Sequence, residues 1–140
     1  MEIIAKSSIS VPDETIQKWQ NLVDIVTEII DVPVVLINRI TPPRIKILCT
    51  NTSPKNPYRA GAQLLLADHY CDAVVATGSK ILVANSTKEK GRERNAALQL
   101  GFIAYLGFPI CWPDGDTFGT FCILDNKERK YSTTNVKLMS

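Results

Sequence analysis

Residues Tyr105–Asp125 read YLGFPICWPDGDTFGTFCILD. Two apolar runs flank Pro113-Asp114-Gly115-Asp116, and Asp-Gly between strand-like runs is among the strongest short-range signals of a β-hairpin. A two-residue loop at Asp114-Gly115 pairs Cys122 with Gly107 and Cys111 with Phe118; a bulged turn would shift this by one residue. In the two-residue register Tyr105, Gly107, Pro109, Phe118, Thr120, Cys122 and Leu124 share one face. Leu106, Phe108, Ile110, Trp112, Phe121 and Ile123 share the other. The second face is uniformly bulky, as a surface for long helices should be. The first mixes small and polar groups, as the floor of a pocket should. Gly107 and Gly119 mark a bend, or a close approach of backbone or ligand.

Upstream of the hairpin the pattern changes period several times. Ser10-Val11-Pro12-Asp13-Glu14 is a helix start, with Ser10 as candidate cap, an early proline and acids in the first turn. Ile16, Trp19, Leu22, Val23, Val26, Ile29 and Ile30 follow at steps of three and four, one apolar stripe of an amphipathic helix over about residues 12–31. Pro33 ends it. Val34–Ile40 is a β-branched apolar run and predicts a buried strand. Thr41–Arg44 turns the chain into a second strand, Arg44–Thr50. Asn51–Gly61 is rich in Asn, Ser and Pro, and predicts a loop long enough to cover something.

Leu64–Thr77 predicts a helix closed by Gly78, Lys80–Ala84 a short strand, Asn85–Arg94 a loop and Asn95–Leu100 a short helix. After the hairpin, a last helix starts at about residue 132 and has no stop before Ser140. Hairpins separated by helices predict an α+β domain, with a central antiparallel sheet and helices on both faces. The chain reads as one domain over residues 1–140, truncated before a following output domain.

Composition narrows the role. The 140 residues are 45% hydrophobic and 21% charged, with net charge +2. That is ordinary globular material, too weakly charged for a nucleic-acid surface. No apolar run approaches the roughly 20 residues that span a bilayer, and Met1–Ser10 lacks the basic head and apolar core of a signal peptide. The expectation is a cytoplasmic domain without membrane contact.

Cys49, Cys71, Cys111 and Cys122 form no C-x-x-C, and His69 is the only histidine, so no metal site is expected. Cys111 and Cys122 lie out of register, on the order of 13 Å apart at strand rise, too far for a disulfide. Reduced, buried cysteines are the expected state. Asp68-His69-Tyr70-Cys71 sets a histidine beside a thiol. Residues two apart on a helix point in divergent directions, however, so a Cys-His nucleophilic pair is not expected. Asp114 and Asp116 flank a turn glycine, and the turn explains them.

The family pattern is carried by several stretches. They are Tyr70-Cys71 with Val74, Ile81–Asn85, Tyr105–Ile110, Trp112-Pro113-Asp114-Gly115, and Phe118–Asp125. Together they resemble the GAF domain, of the kind found at the front of bacterial sensor proteins such as histidine kinases, diguanylate cyclases and GAF/PAS multidomain sensors. The resemblance spans nearly the whole chain. It implies a GAF-type, profilin-like and PAS-related fold. It further implies a non-catalytic sensory domain that binds a small molecule and relays the signal through its terminal helices to the output domain. Homodimerisation would use the first and last helices. The implied ligand pocket is lined by Tyr70, Cys71, Tyr105, Gly107, Thr120 and Cys122.

The resemblance names no cofactor. Bilin-attaching GAF domains have a cysteine followed by histidine, whereas His69 precedes Cys71 here. The Asn-Lys-x-x-Phe-Asp-Glu run of cyclic-nucleotide GAF domains is absent. Free methionine-R-sulfoxide reductases share the fold and carry cysteines ahead of the hairpin, where Asn85–Arg94 has none. A ligand-free dimerisation module and a cysteine-based reductase or redox sensor are the alternatives.

Overall fold

A computed structural model describes residues 11–66, 71–83 and 102–126. In chain order they form α1 (Asp13–Ile30), β1 (Val34–Thr41), β2 (Arg44–Thr50), β3 (Gln63–Leu65), α2 (Cys71–Thr77), β4 (Ile81–Val83), β5 (Ala104–Cys111) and β6 (Thr117–Asp125). The six strands make one antiparallel sheet in the order β3-β2-β1-β6-β5-β4. Two local hairpins, β1-β2 and β5-β6, are joined at the centre by β1 against β6. The predicted helices at Asn95–Leu100 and from about residue 132, and the loop Asn85–Arg94, lie outside the described residues.

Strand β1 explains why the sheet is covered on both sides. Val34, Val35, Leu36 and Ile37 are all buried, and successive side chains of a strand point to opposite faces. Val35 and Ile37 pack with Val23, Val26 and Ile30 of α1, and with Leu106, Phe108, Phe121 and Ile123. Val34 and Leu36 pack with Val74 of α2, and with Tyr105, Cys122 and Leu124. The α+β layering with helices on both faces is therefore present. Full burial of each such side chain contributes about 1.5–3 kcal/mol.

Helix α1 begins without a side-chain cap. Pro12 is the N-cap residue, and its carbonyl accepts from the Thr15 and Ile16 amides at 3.0 and 3.1 Å. Asp31 closes the helix in a left-handed conformation, its N–H donating to the Thr27 carbonyl at 3.0 Å. The predicted stripe is wider than the buried face. Val23, Val26 and Ile30 are inside, while Leu22 and Ile29 of the stripe are 41% and 60% exposed along the outer side, beside Ile25, which lies off the stripe and is 51% exposed.

Three local expectations are corrected. The predicted helix over Leu64–Thr77 is a strand at its start: Gln63–Leu65 pairs with Arg44–Lys46 at the sheet edge, and the Leu66 amide donates to the Pro43 carbonyl at 2.9 Å. Three consecutive leucines suit a helix by propensity, but the unsatisfied edge of β2 captures them. Next, the hairpin loop has three residues rather than two. The Gly115 amide donates to the Trp112 carbonyl at 2.8 Å, and the Trp112 amide to Asp116 at 2.7 Å. Gly115 takes the positive φ of 94° that closes such a loop.

The third correction compensates the second. A bulge leaves Phe118 unpaired between Ile110↔Gly119 and Cys111↔Thr117, so Gly107 still meets Cys122. The bulge also swings Phe118 off the expected pocket face. Its ring packs on the α1 side, 5.7 Å from Trp19 and 5.1 Å edge-on from Trp112, beneath the Arg39 guanidinium.

Candidate functional site

The α2 face of the sheet carries a buried polar cluster in an apolar setting. Asn38 of β1 sits opposite Thr120 of β6, and Cys122 follows two residues on along the same face. Cys71 opens α2 above them, and Tyr105 enters from β5. Asn38 Nδ2 lies 3.7 Å from Cys71 Sγ, 3.4 Å from Thr120 Oγ1 and 3.8 Å from Cys122 Sγ. Cys71 Sγ is 3.3 Å from Thr120 Oγ1 and 3.7 Å from the Tyr105 hydroxyl. Each of these five residues is at most 3% exposed.

Two glycines make the cluster possible. A side chain at position 107 would collide with the Tyr105 hydroxyl and ring, so Tyr105 folds over its own strand only because residue 107 has no Cβ. A side chain at 119 would collide with the Asn38 carbonyl, so β6 lies close against β1 at the residue before Thr120.

The loop from Asn51 to Ala62 closes the cluster from one side. Asn51 Oδ1 accepts from the Val35 amide and its Nδ2 donates to the Pro33 carbonyl, both at 2.9 Å. Asn56 Nδ2 donates to the Asn51 carbonyl at 2.7 Å and to Thr50 Oγ1 at 2.9 Å, and its Oδ1 accepts from the Tyr58 amide at 2.9 Å. These bonds hold Tyr58 inward, its ring centroid 6.2 Å from that of Phe102. Outside Tyr58 lies a cleft of about 400 Å³, lined also by Asn51, Asn56 and Arg59. Tyr58 thus separates this cleft from the thiols.

Hydrogen bonding and burial keep Cys122 and the two tyrosines protonated. A hydrogen bond with Cys71, then burial, holds the Cys122 thiol well above the usual thiol range. Burial, then the nearby Cys71 and Cys122, raises the Tyr105 hydroxyl. Burial does the same for Tyr58. With Cys122 protonated at neutral pH, the cluster presents hydrogen-bonding groups there rather than a thiolate. Two polar atoms in it, Asn38 Oδ1 and the Tyr58 hydroxyl, are buried with no hydrogen-bond partner among the described residues.

Of the sequence-predicted site residues, Cys71, Tyr105, Thr120 and Cys122 come together here. Gly107 lies beneath Tyr105, and Tyr70 falls outside the described residues, as do Asp68 and His69. Asn38 and Tyr58 were missed. The signal for Asn38 was present, a lone amide inside the apolar run Val34–Ile40. Tyr58 in a polar loop gave none.

No family model matches the sequence, and no curated protein matches it. The fold has many solved counterparts. The GAF domain of Acinetobacter phosphoenolpyruvate-protein phosphotransferase matches 89% of this chain and 81% of its own, with TM-score 0.64 and 18% identity. The GAF domain of PixJ from Thermosynechococcus elongatus, in its blue-light absorbing form, matches 94% and 86%, with TM-score 0.69 and 14% identity. A type II free methionine-R-sulfoxide reductase from Thermoplasma acidophilum matches 91% and 86%, with TM-score 0.71 and 12% identity. The architecture is thus one used by both sensory domains and an enzyme. This chain has the GAF fold. Among the described residues no helix is long and apolar enough to cross a membrane.

Proposed function

We propose that the chain is a non-catalytic sensory GAF domain that binds a small polar molecule between the sheet and α2, beneath the Asn51–Ala62 loop. The observation that carries this reading is a pair of buried atoms in one polar cluster, Asn38 Oδ1 and Tyr58 OH, that have no hydrogen-bond partner among the described residues. Each such atom costs about 1–3 kcal/mol. A ligand that donates to Asn38 and hydrogen-bonds Tyr58 recovers that cost. The pocket wall comprises Cys71, Tyr105, Thr120 and Cys122 over Gly107, with Tyr70 added from the sequence pattern.

Because the cluster residues are buried, binding shifts Tyr58 and α2, a population shift between two packings. The shift passes through the first helix and a last helix from about residue 132 to a covalently linked output domain, of histidine kinase or diguanylate cyclase type, in a bacterial cytoplasm.

A thermal-shift screen of the purified chain against polar metabolites tests this. A ligand that stabilises by mass action, and whose effect disappears in Asn38→Leu, supports it. Equal stabilisation of Asn38→Leu, or no stabilising compound, removes it. Methionine sulfoxide turnover lost in Cys122→Ser would replace it with the reductase reading. A second observation favours a homodimer through the first helix. Leu22, Ile25 and Ile29 form an exposed apolar ridge on α1. Sedimentation should show a dimer that Ile25→Glu converts to monomer; a wild-type monomer refutes it.

A further inference from the structure

A polar ligand gives no reason for two thiols side by side. Cys71 Sγ and Cys122 Sγ share one donor, Asn38 Nδ2, at 3.7 and 3.8 Å, and Cys71 Sγ also lies 3.3 Å from Oγ1 of Thr120, two residues before Cys122 on the same face of β6. Both are free. They belong to elements far apart in sequence: Cys71 is the first residue of α2, and Cys122 is in the middle of the central strand β6. A disulfide requires the two sulfurs at about 2.05 Å. Side-chain rotation and a slide of the short helix α2 are the motions that would bring them together.

We propose that Cys71 and Cys122 are a modification site for a hydroperoxide, which oxidises them to a reversible disulfide that latches α2 to β6. The chemistry balances with hydrogen peroxide alone. Cys71 loses its proton and its sulfur attacks one peroxide oxygen. The O–O bond breaks, Cys71 becomes a sulfenic acid, and the released hydroxide takes up the proton as water. The Cys122 sulfur then displaces the sulfenic hydroxyl, and its own proton leaves with that hydroxyl as a second water. Two thiols lose two electrons and one peroxide gains them. A low-molecular-weight thiol reverses the bond by exchange.

Burial sets the condition for this reaction. Cys71 and Cys122 are 3% and 1% exposed, so peroxide reaches them only when the packing around them opens. The exposed Cys111 has no such gate. The latch therefore records opening of the cluster, and it holds whether or not the cluster takes a ligand.

The test uses the whole chain carrying Cys111→Ser, which prevents disulfides between molecules. After hydrogen peroxide and quenching, the protein is denatured and alkylated. The expected result is a mass lower by about 2 Da before alkylation, loss of two alkylatable thiols, a digest peptide joining Cys71 to Cys122, and full reversal by dithiothreitol. In Cys122→Ser a sulfenic-acid trap should label Cys71. Should that variant misfold, the peptide map of the parent decides alone. Hydrogen exchange of the α2 amides should slow in the oxidised form. Pairing with Cys49, irreversible oxidation at single cysteines, or no loss of thiols at a peroxide dose that oxidises Cys111 in the wild type would each overturn the proposal.

Discussion

Replacing Gly107 by alanine tests how the cluster is built. The added Cβ falls on the Tyr105 hydroxyl and ring, and Tyr105 is 2% exposed, so the ring has no free space to enter. Gly107 has no positive φ, so the backbone itself accepts alanine. In the native background the overpacking should cost about 1–3 kcal/mol. With Tyr105→Ala already present, the obstacle is gone. Alanine should then stabilise by roughly 0.5 kcal/mol, because glycine in a strand loses more chain entropy on folding. The double-mutant cycle should therefore give a coupling of roughly 1.5–3.5 kcal/mol, far above the roughly 0.5 kcal/mol of independent sites. Urea unfolding of the four proteins, with m-values checked for constancy, reads it. Additive effects within about 0.5 kcal/mol would refute the claim that Tyr105 occupies the space above residue 107.

Further outcomes follow from the same geometry. Asn51→Ala strands the Val35 amide and the Pro33 carbonyl, and should cost about 2–3 kcal/mol; hydrogen exchange should show the Asn51–Ala62 loop deprotected, and an unchanged loop would contradict its anchoring role. Gly115→Ala forces a side chain into φ 94° and should cost roughly 1–2 kcal/mol, seen as a lower urea midpoint with an unchanged m-value. Alkaline pH should destabilise the fold. Cys49, Cys122 and Tyr105 have native pKa values raised above 9.0, 9.0 and 10.0, so above pH 9 the unfolded chain releases protons that the folded chain keeps. Stability is fully present below that pH and falls by up to about 1.4 kcal/mol per pH unit for each such group. Urea midpoints at pH 8 and 10 check the sign, and a higher midpoint at pH 10 would contradict it.

Local pattern made much of this molecule legible. The step of three and four from Ile16 to Ile30 marked α1, the β-branched run at Val34 marked a strand, and Asp114-Gly115 marked the hairpin. Even the match of Gly107 to Cys122 emerged correctly, because the extra loop residue and the bulge at Phe118 cancel. Period and turn chemistry are properties of neighbouring residues, so a linear reading holds them. Other features depended on partners distant in sequence. Leu64 and Leu65 are strand rather than helix because β2 offers an open edge. Phe118 turns toward α1 because Trp19 and Trp112 receive it. Asn38 joins Cys71, Thr120 and Cys122 only through the pairing of β1 with β6, which closes the sheet across most of the chain. The sequence by itself determined the α+β class, the principal strands and four of the residues in the candidate site. Tertiary structure alone decided that three of these gather around Asn38 with Tyr105 against Cys71, that Tyr58 packs beside them, and that one amide reaches two thiols. Those contacts are set by sheet closure and helix docking, which no local period encodes.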